Sequence, residues 1–144
     1  MTQAKILSEK ELKRALGILM GQRHEKRNRL ALLLTHWAGM RVCEVAALTL
    51  GDIIDVTGGI VEEIRLTGDQ TKGDKGRVVY LNNKIRKEIR DYIERRDNID
   101  PTNALLISQK ASRKWMGFTA NSLCQLINTI YSDAGIQEIG RAHV

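Results

Sequence analysis

The sequence predicts a mainly α-helical domain with one small antiparallel β-hairpin, an α+β class. Three observations point there. Apolar residues recur three and four apart over 8–53 and again over 119–133, the spacing that lines one face of a helix. Two short apolar or β-branched runs, Ile60, Val61, Ile64, Leu66 and then Val78, Val79, Leu81, flank a polar, glycine-rich segment at 67–76, as a hairpin requires. Ser8 and Thr119 stand where helices should start, and Gly39 and Gly135 where they should stop.

Taken in order, Ser8-Glu9-Lys10-Glu11 is a capping box that opens a helix running to about residue 20. A second helix is expected over 24–38, with Leu30, Leu33, Leu34 and Trp37 on its buried face. Gly39 ends it, and Arg41 opens a third helix in which Val42, Val45, Ala46 and Leu48 repeat the helical pattern. The hairpin follows, then a helix over 83–95, a turn at Pro101, a short apolar strand over 104–108 and a last helix over 119–133. No internal repeat or low-complexity segment interrupts this order.

With 144 residues, of which 42% are hydrophobic, the chain suffices for one domain with a real core and is too short for two of ordinary size. Twenty-three Lys and Arg against seventeen Asp and Glu leave a net charge of +6, which favours a polyanionic partner over small metabolites. The basic excess is concentrated in residues 1–30, which hold eight Lys or Arg and three Glu. Cys43 and Cys124 sit in apolar helical patterns without CxxC spacing and read as buried thiols of a reducing, cytoplasmic protein. His24, His36 and His143 lack ligand spacing, so no metal and no other cofactor is expected. No apolar run reaches membrane-spanning length, and no membrane partner is expected.

The most informative stretch is 35–53, where Arg41 stands at the break between two apolar helical segments. A guanidinium there lies beside free backbone N–H groups and the positive end of a helix dipole, a combination that suits an anion. Glu44, three residues on, shares the helical face and is placed to orient Arg41. Taken alone, the pattern also fits a surface arginine with an acidic neighbour.

Helix, helix, arginine at a helix start, hairpin with lysines in its turn, helix, short strand, helix: over residues 7–136 this order resembles the catalytic domain of the tyrosine recombinase, or phage integrase, family. Ala38-Gly39-Met40-Arg41-Val42-Cys43-Glu44-Val45-Ala46-Ala47-Leu48 is similar to that family's first arginine motif, and Leu48-Thr49-Leu50-Gly51-Asp52-Ile53 to its usual continuation. Thr71-Lys72-Gly73-Asp74-Lys75-Gly76-Arg77-Val78-Val79 resembles the hairpin that carries the family's active-site lysine. The resemblance implies metal-free strand exchange on double-stranded DNA, in which a tyrosine attacks a phosphodiester, forms a 3'-phosphotyrosyl link and releases a 5'-hydroxyl. It implies catalytic roles for Arg41, which would meet the charge developing on the phosphorus oxygens, and for Lys72, which would protonate the leaving oxygen, with Lys75 as its fallback. Glu44 would support Arg41. Lys75 and Arg77 on the hairpin, and Arg23, Lys26 and Arg27 near the second helix, are the expected DNA-binding residues.

Residues 1–137 are thus expected to form part of such a catalytic domain. The family's His-x-x-Arg box, second His or Trp and nucleophilic Tyr follow the last helix, and none of them appears there in this sequence. Residues 138–144, Glu-Ile-Gly-Arg-Ala-His-Val, read as the translation of a sequencing-library adaptor, a non-native tail. Tyr80, Tyr92 and Tyr131 fall in scaffold positions, and the chain by itself is expected to be inactive. The resemblance further implies a tetramer on two DNA sites for the full-length protein. Two other readings stay open: a catalytically inert module that occupies recombination sites, and a basic helical domain associated with RNA.

Overall fold

The computed structural model describes residues 7–67, 76–96, 99–109 and 116–136. Six helices and a two-stranded sheet are built from them: α1 (Glu9–Ile18), α2 (Glu25–His36), α3 (Val42–Ala47), α4 (Leu50–Ile53), β1 (Glu63–Leu66), β2 (Arg77–Tyr80), α5 (Asn83–Ile93) and α6 (Ala120–Asp133).

α2 is the central element. Leu30 to Leu34 are all fully buried, so the helix is covered on every side and not along a single stripe. α5 packs on one side of it with Ile85, Ile89 and Ile93, one residue per helical turn, and a two-pronged Arg29–Glu88 ion pair (3.3 and 2.8 Å) closes the edge of that contact. α1 begins at the expected capping box, the Glu11 N–H donating to Ser8 Oγ and the Ser8 N–H to Glu11 Oε1, both at 3.1 Å. α6 packs on α1 and α3 through Leu123, Ile127, Ile130 and Tyr131, and ends where the Ile136 N–H reaches back to the Tyr131 carbonyl at 2.9 Å around Gly135.

The hairpin is antiparallel, with Glu63 opposite Tyr80, Ile64 opposite Val79, Arg65 opposite Val78 and Leu66 opposite Arg77. Ile64, Leu66 and Val79 face the core, while Arg65, Val78 and Tyr80 face outward. Gly76 sits at its neck, where an added Cβ would lie 2.6 Å from the Leu66 carbonyl oxygen, so no other residue fits without moving the backbone.

Two expectations are corrected. Residues 104–108 form no strand: Ala104 bridges to Thr49 and Ile107 to Gly117, one contact with each of two different partners. The α3–α4 junction presents only Leu48 and Thr49 in extended form, too short to carry a ladder, and the consecutive residues Leu105 and Leu106 are both buried, which breaks strand alternation. Cys124 is exposed and Cys43 half-buried. The face of α6 that packs inward starts at Leu123, so its neighbour Cys124 falls on the outside. No described helix is long and apolar enough to cross a membrane.

Candidate functional site

The turn between α2 and α3 is where the chain's chemistry concentrates. α2 closes with the Ala38 N–H on the Leu33 carbonyl (3.2 Å) and the Met40 N–H on the Leu34 carbonyl (3.0 Å). Gly39 between them has φ of +73°, a conformation that side chains disfavour. Met40 is buried and anchors the turn. Arg41 comes next as the N-cap of α3, one position earlier than the first helical turn, with its backbone extended and its side chain exposed.

Glu44 is fully buried, an uncommon place for a carboxylate, and its surroundings explain it. Its Oε1 accepts the Arg41 backbone N–H at 2.9 Å. The guanidinium of Arg77 grips both carboxylate oxygens, Nε to Oε2 at 3.1 Å and Nη2 to Oε1, and the same Nη2 reaches the Gly39 carbonyl at 3.3 Å. Burial works to raise the Glu44 pKa, but the Arg77 hydrogen bonds, the Arg41 amide and the two positive charges outweigh it and hold the carboxyl below the ordinary range. Arg77 is in turn driven up by the same hydrogen bonds.

This network bears on two sequence expectations. Glu44, expected to support Arg41, meets it through the Arg41 backbone amide. Arg77 was expected at a DNA backbone; its guanidinium pairs with Glu44 and reaches the Gly39 carbonyl, with 37% of the side chain still exposed. No motif spacing signals this pair, because its members are 33 residues apart and meet only when the hairpin folds against the turn.

The Arg41 guanidinium, by contrast, makes no hydrogen bond or ion pair with any described residue. Its backbone is fixed and its head is free. Lys72 and Lys75 lie outside the described residues. The strand ends that precede and follow them in sequence, Leu66 opposite Arg77, are pinned beside this turn by the Arg77–Glu44 pair.

The model of the phage integrase family matches residues 5–143. The chain belongs to that family. The tyrosine recombinase XerA of Thermococcus kodakarensis is 36% identical over 110 residues, which cover 76% of this chain and 36% of that protein. Among solved structures, that of a XerA recombinase superposes with a TM-score of 0.65 at 22% identity, covering 94% of this chain and 44% of the other. The Tn1549 transposon integrase, solved in complex with a circular intermediate DNA, gives 0.55 at 16% identity, covering 92% and 46%. These two likenesses establish the integrase fold, and the chain spans less than half the length of each relative.

The remaining residues sort by their surroundings. Arg23 and Lys26 are exposed at the start of α2. Arg27, expected at DNA, is only 4% exposed, donating from Nε to Asn28 Oδ1 (3.0 Å) and from Nη1 to the Ile107 carbonyl (3.1 Å) and Gln109 Oε1 (2.6 Å), with Phe118 5.0 Å beneath it. Its guanidinium is thus held within the packing and off the outer surface. His24 and Arg27 spell His-x-x-Arg, but they open α2 while Arg41 follows its far end, about 18 Å away along a twelve-residue helix. Tyr131 is buried against His36, its hydroxyl 2.7 Å from Nε2, and Tyr92 accepts the Ile107 N–H at 3.1 Å. Tyr80 stands in solvent on the outer face of β2. The described residues hold no cluster of three or more metal-ligating side chains.

Proposed function

We propose that this chain supplies the phosphate-gripping part of a site-specific tyrosine recombinase active site, and that its partner is duplex DNA. The carrying observation is the free, exposed guanidinium of Arg41 on a backbone held by a buried carboxylate. A cation on an anchored backbone, its head group free of protein partners, is available to a phosphodiester as charge builds on its oxygens. Arg41 contacts the scissile phosphate, Lys72 enters from the hairpin as the acid for the 5' oxygen, Glu44 positions Arg41, and Lys75, Arg23 and Lys26 meet flanking phosphates. In the strand-cleavage step the tyrosine releases its hydroxyl proton to solvent as its oxygen bonds to phosphorus, the P–O5' bond breaks, and the Lys72 proton goes to the departing oxygen.

None of the described tyrosines is assigned as nucleophile, since Tyr131 is enclosed, Tyr92 braces Ile107, and Tyr80 lies on the outward face of the hairpin. The 144-residue chain therefore binds duplex DNA without cutting it. Fluorescence anisotropy with a labelled duplex should show binding that weakens steeply with salt, because phosphate contacts release counterions. A nicked suicide duplex should yield no covalent adduct. Salt-independent binding, or no binding at all, would refute the DNA reading, and a trapped adduct would refute the tyrosine assignment.

A further inference from the structure

The N-terminal end of α2 holds a second concentration of positive charge, remote from Arg41. An open cavity of about 390 Å³ lies there; Lys26, Arg27 and Arg95 share its wall with His24 and the uncharged Tyr92, Ile107 and Gln109, and Glu25 is its one acid. Glu25 is already engaged, its Oε1 accepting the Gly21 N–H at 2.9 Å. Arg27 is the buried member of the set, and every acceptor it meets is neutral: an amide oxygen of Asn28, one of Gln109 and the Ile107 carbonyl. Buried charges in proteins are ordinarily balanced by a counter-charge, as Glu44 is by Arg77. No described carboxylate does this for Arg27.

His24 carries the same signature. It is the one non-glycine residue among those described with a positive φ, +61°, and its Nε2 is shut off from solvent with no hydrogen-bond partner. Burial first, then the charges of Arg27 and Arg23, push its pKa down, so the local field is positive and uncompensated. The dipole of α2, which starts here without a side-chain cap, adds to that field with the same sign.

We propose that this cavity binds a phosphate group, with Arg27 supplying a fixed charge from within and the exposed Lys26 and Arg95 flanking it at the mouth. Three cations and one engaged carboxylate suit a group of charge near −2 better than a single carboxylate, and guanidinium is the side chain best shaped for its oxygens. Free phosphate and a DNA backbone phosphate share this chemistry. Only the DNA source rests on the function proposed above.

The test follows the histidine ring resonances of the 144-residue chain by NMR while inorganic phosphate is titrated against sodium chloride of equal ionic strength. His24 should shift saturably with phosphate and not with chloride. Lys26→Ala and Arg95→Ala, both at exposed positions, should each weaken the apparent affinity several-fold at unchanged melting temperature, whereas Arg41→Ala should leave it as it was. Arg27→Gln should abolish the shift; should that variant fail to fold, the two exposed variants decide alone. A labelled duplex is then added: displacement of phosphate from His24 identifies a DNA phosphate as the occupant, and undisturbed phosphate identifies a free one. If duplex binds nowhere while phosphate still moves His24, the recombinase reading fails and this site stands. A His24 resonance that responds to neither probe, or that responds equally in Lys26→Ala and Arg95→Ala, overturns the proposal.

Discussion

Beyond the C-terminal end of α2 the buried charge is a carboxylate, Glu44, clasped by an arginine that is itself one-third exposed; at the N-terminal end it is a guanidinium, Arg27, held by neutral oxygens. The first arrangement is electrostatically complete within the protein, and its outcome is to leave a different arginine, Arg41, unengaged. The second leaves the charge unanswered and a cavity next to it. The contrast separates two uses of arginine: one that fixes a turn and one that waits for an anion.

The largest expected effect strikes the first arrangement. Arg77→Met strands a fully buried carboxylate and should cost about 3–5 kcal/mol in urea denaturation at pH 7. Glu44→Gln strands only a guanidinium that reaches solvent, so its cost should be smaller, about 1–2 kcal/mol. The reverse order would mean that Arg77, not Glu44, is the costlier group to leave unpaired.

Acid sharpens the same point. Because Glu44 is held below its usual pKa, it stabilises the fold above the ordinary carboxylate range, and that contribution is lost as pH falls through its folded value. In Arg77→Met the balance tips toward burial, which raises the pKa, so the variant's deficit should narrow between pH 7 and about pH 4. A deficit that widens on acidification would contradict the pairing. His36, lowered by burial, and His24 add a milder loss of stability that sets in as pH drops below about 6.5 and ends at their folded values.

The second arrangement should be more forgiving. Arg27→Met removes a buried charge together with its desolvation cost but leaves the Ile107 carbonyl and Gln109 without their donor, for a net of about 1–2 kcal/mol. Phosphate should raise the melting temperature of the parent chain and not that of this variant. The smallest stability effect belongs to Arg41→Ala, within about 0.5 kcal/mol, since its exposed head group makes no hydrogen bond or ion pair with the described residues.

Local signals read well from the sequence because their physics is local. The Ser8 and Glu11 box, the Thr119 cap, the Gly39 stop and the alternation at Ile64 and Leu66 each act within a few residues, and the helices and hairpin lie where those signals put them. The exposed guanidinium at the opening of α3 was legible for the same reason. What escaped depends on distant chain segments. Arg77 meets Glu44 from 33 residues away, and Arg27 is enclosed by Ile107 and Gln109 from 80 and 82 residues away. A charged side chain in a sequence is read as solvated by default, and only tertiary packing overrules that. The run 104–108 failed as a strand because its partners offer one bridge each, which no pattern within the run reveals.

The most direct test of the account is the affinity of the chain for a labelled duplex, measured by anisotropy at fixed salt for the parent and for Arg41→Ala, beside urea denaturation of both. With stability unchanged, loss of one charge-assisted phosphate contact of about 1.5–3 kcal/mol should weaken binding about 10- to 150-fold. Equal affinities in two equally stable proteins would contradict the claim that the turn between α2 and α3 is built to present Arg41 to a DNA phosphate.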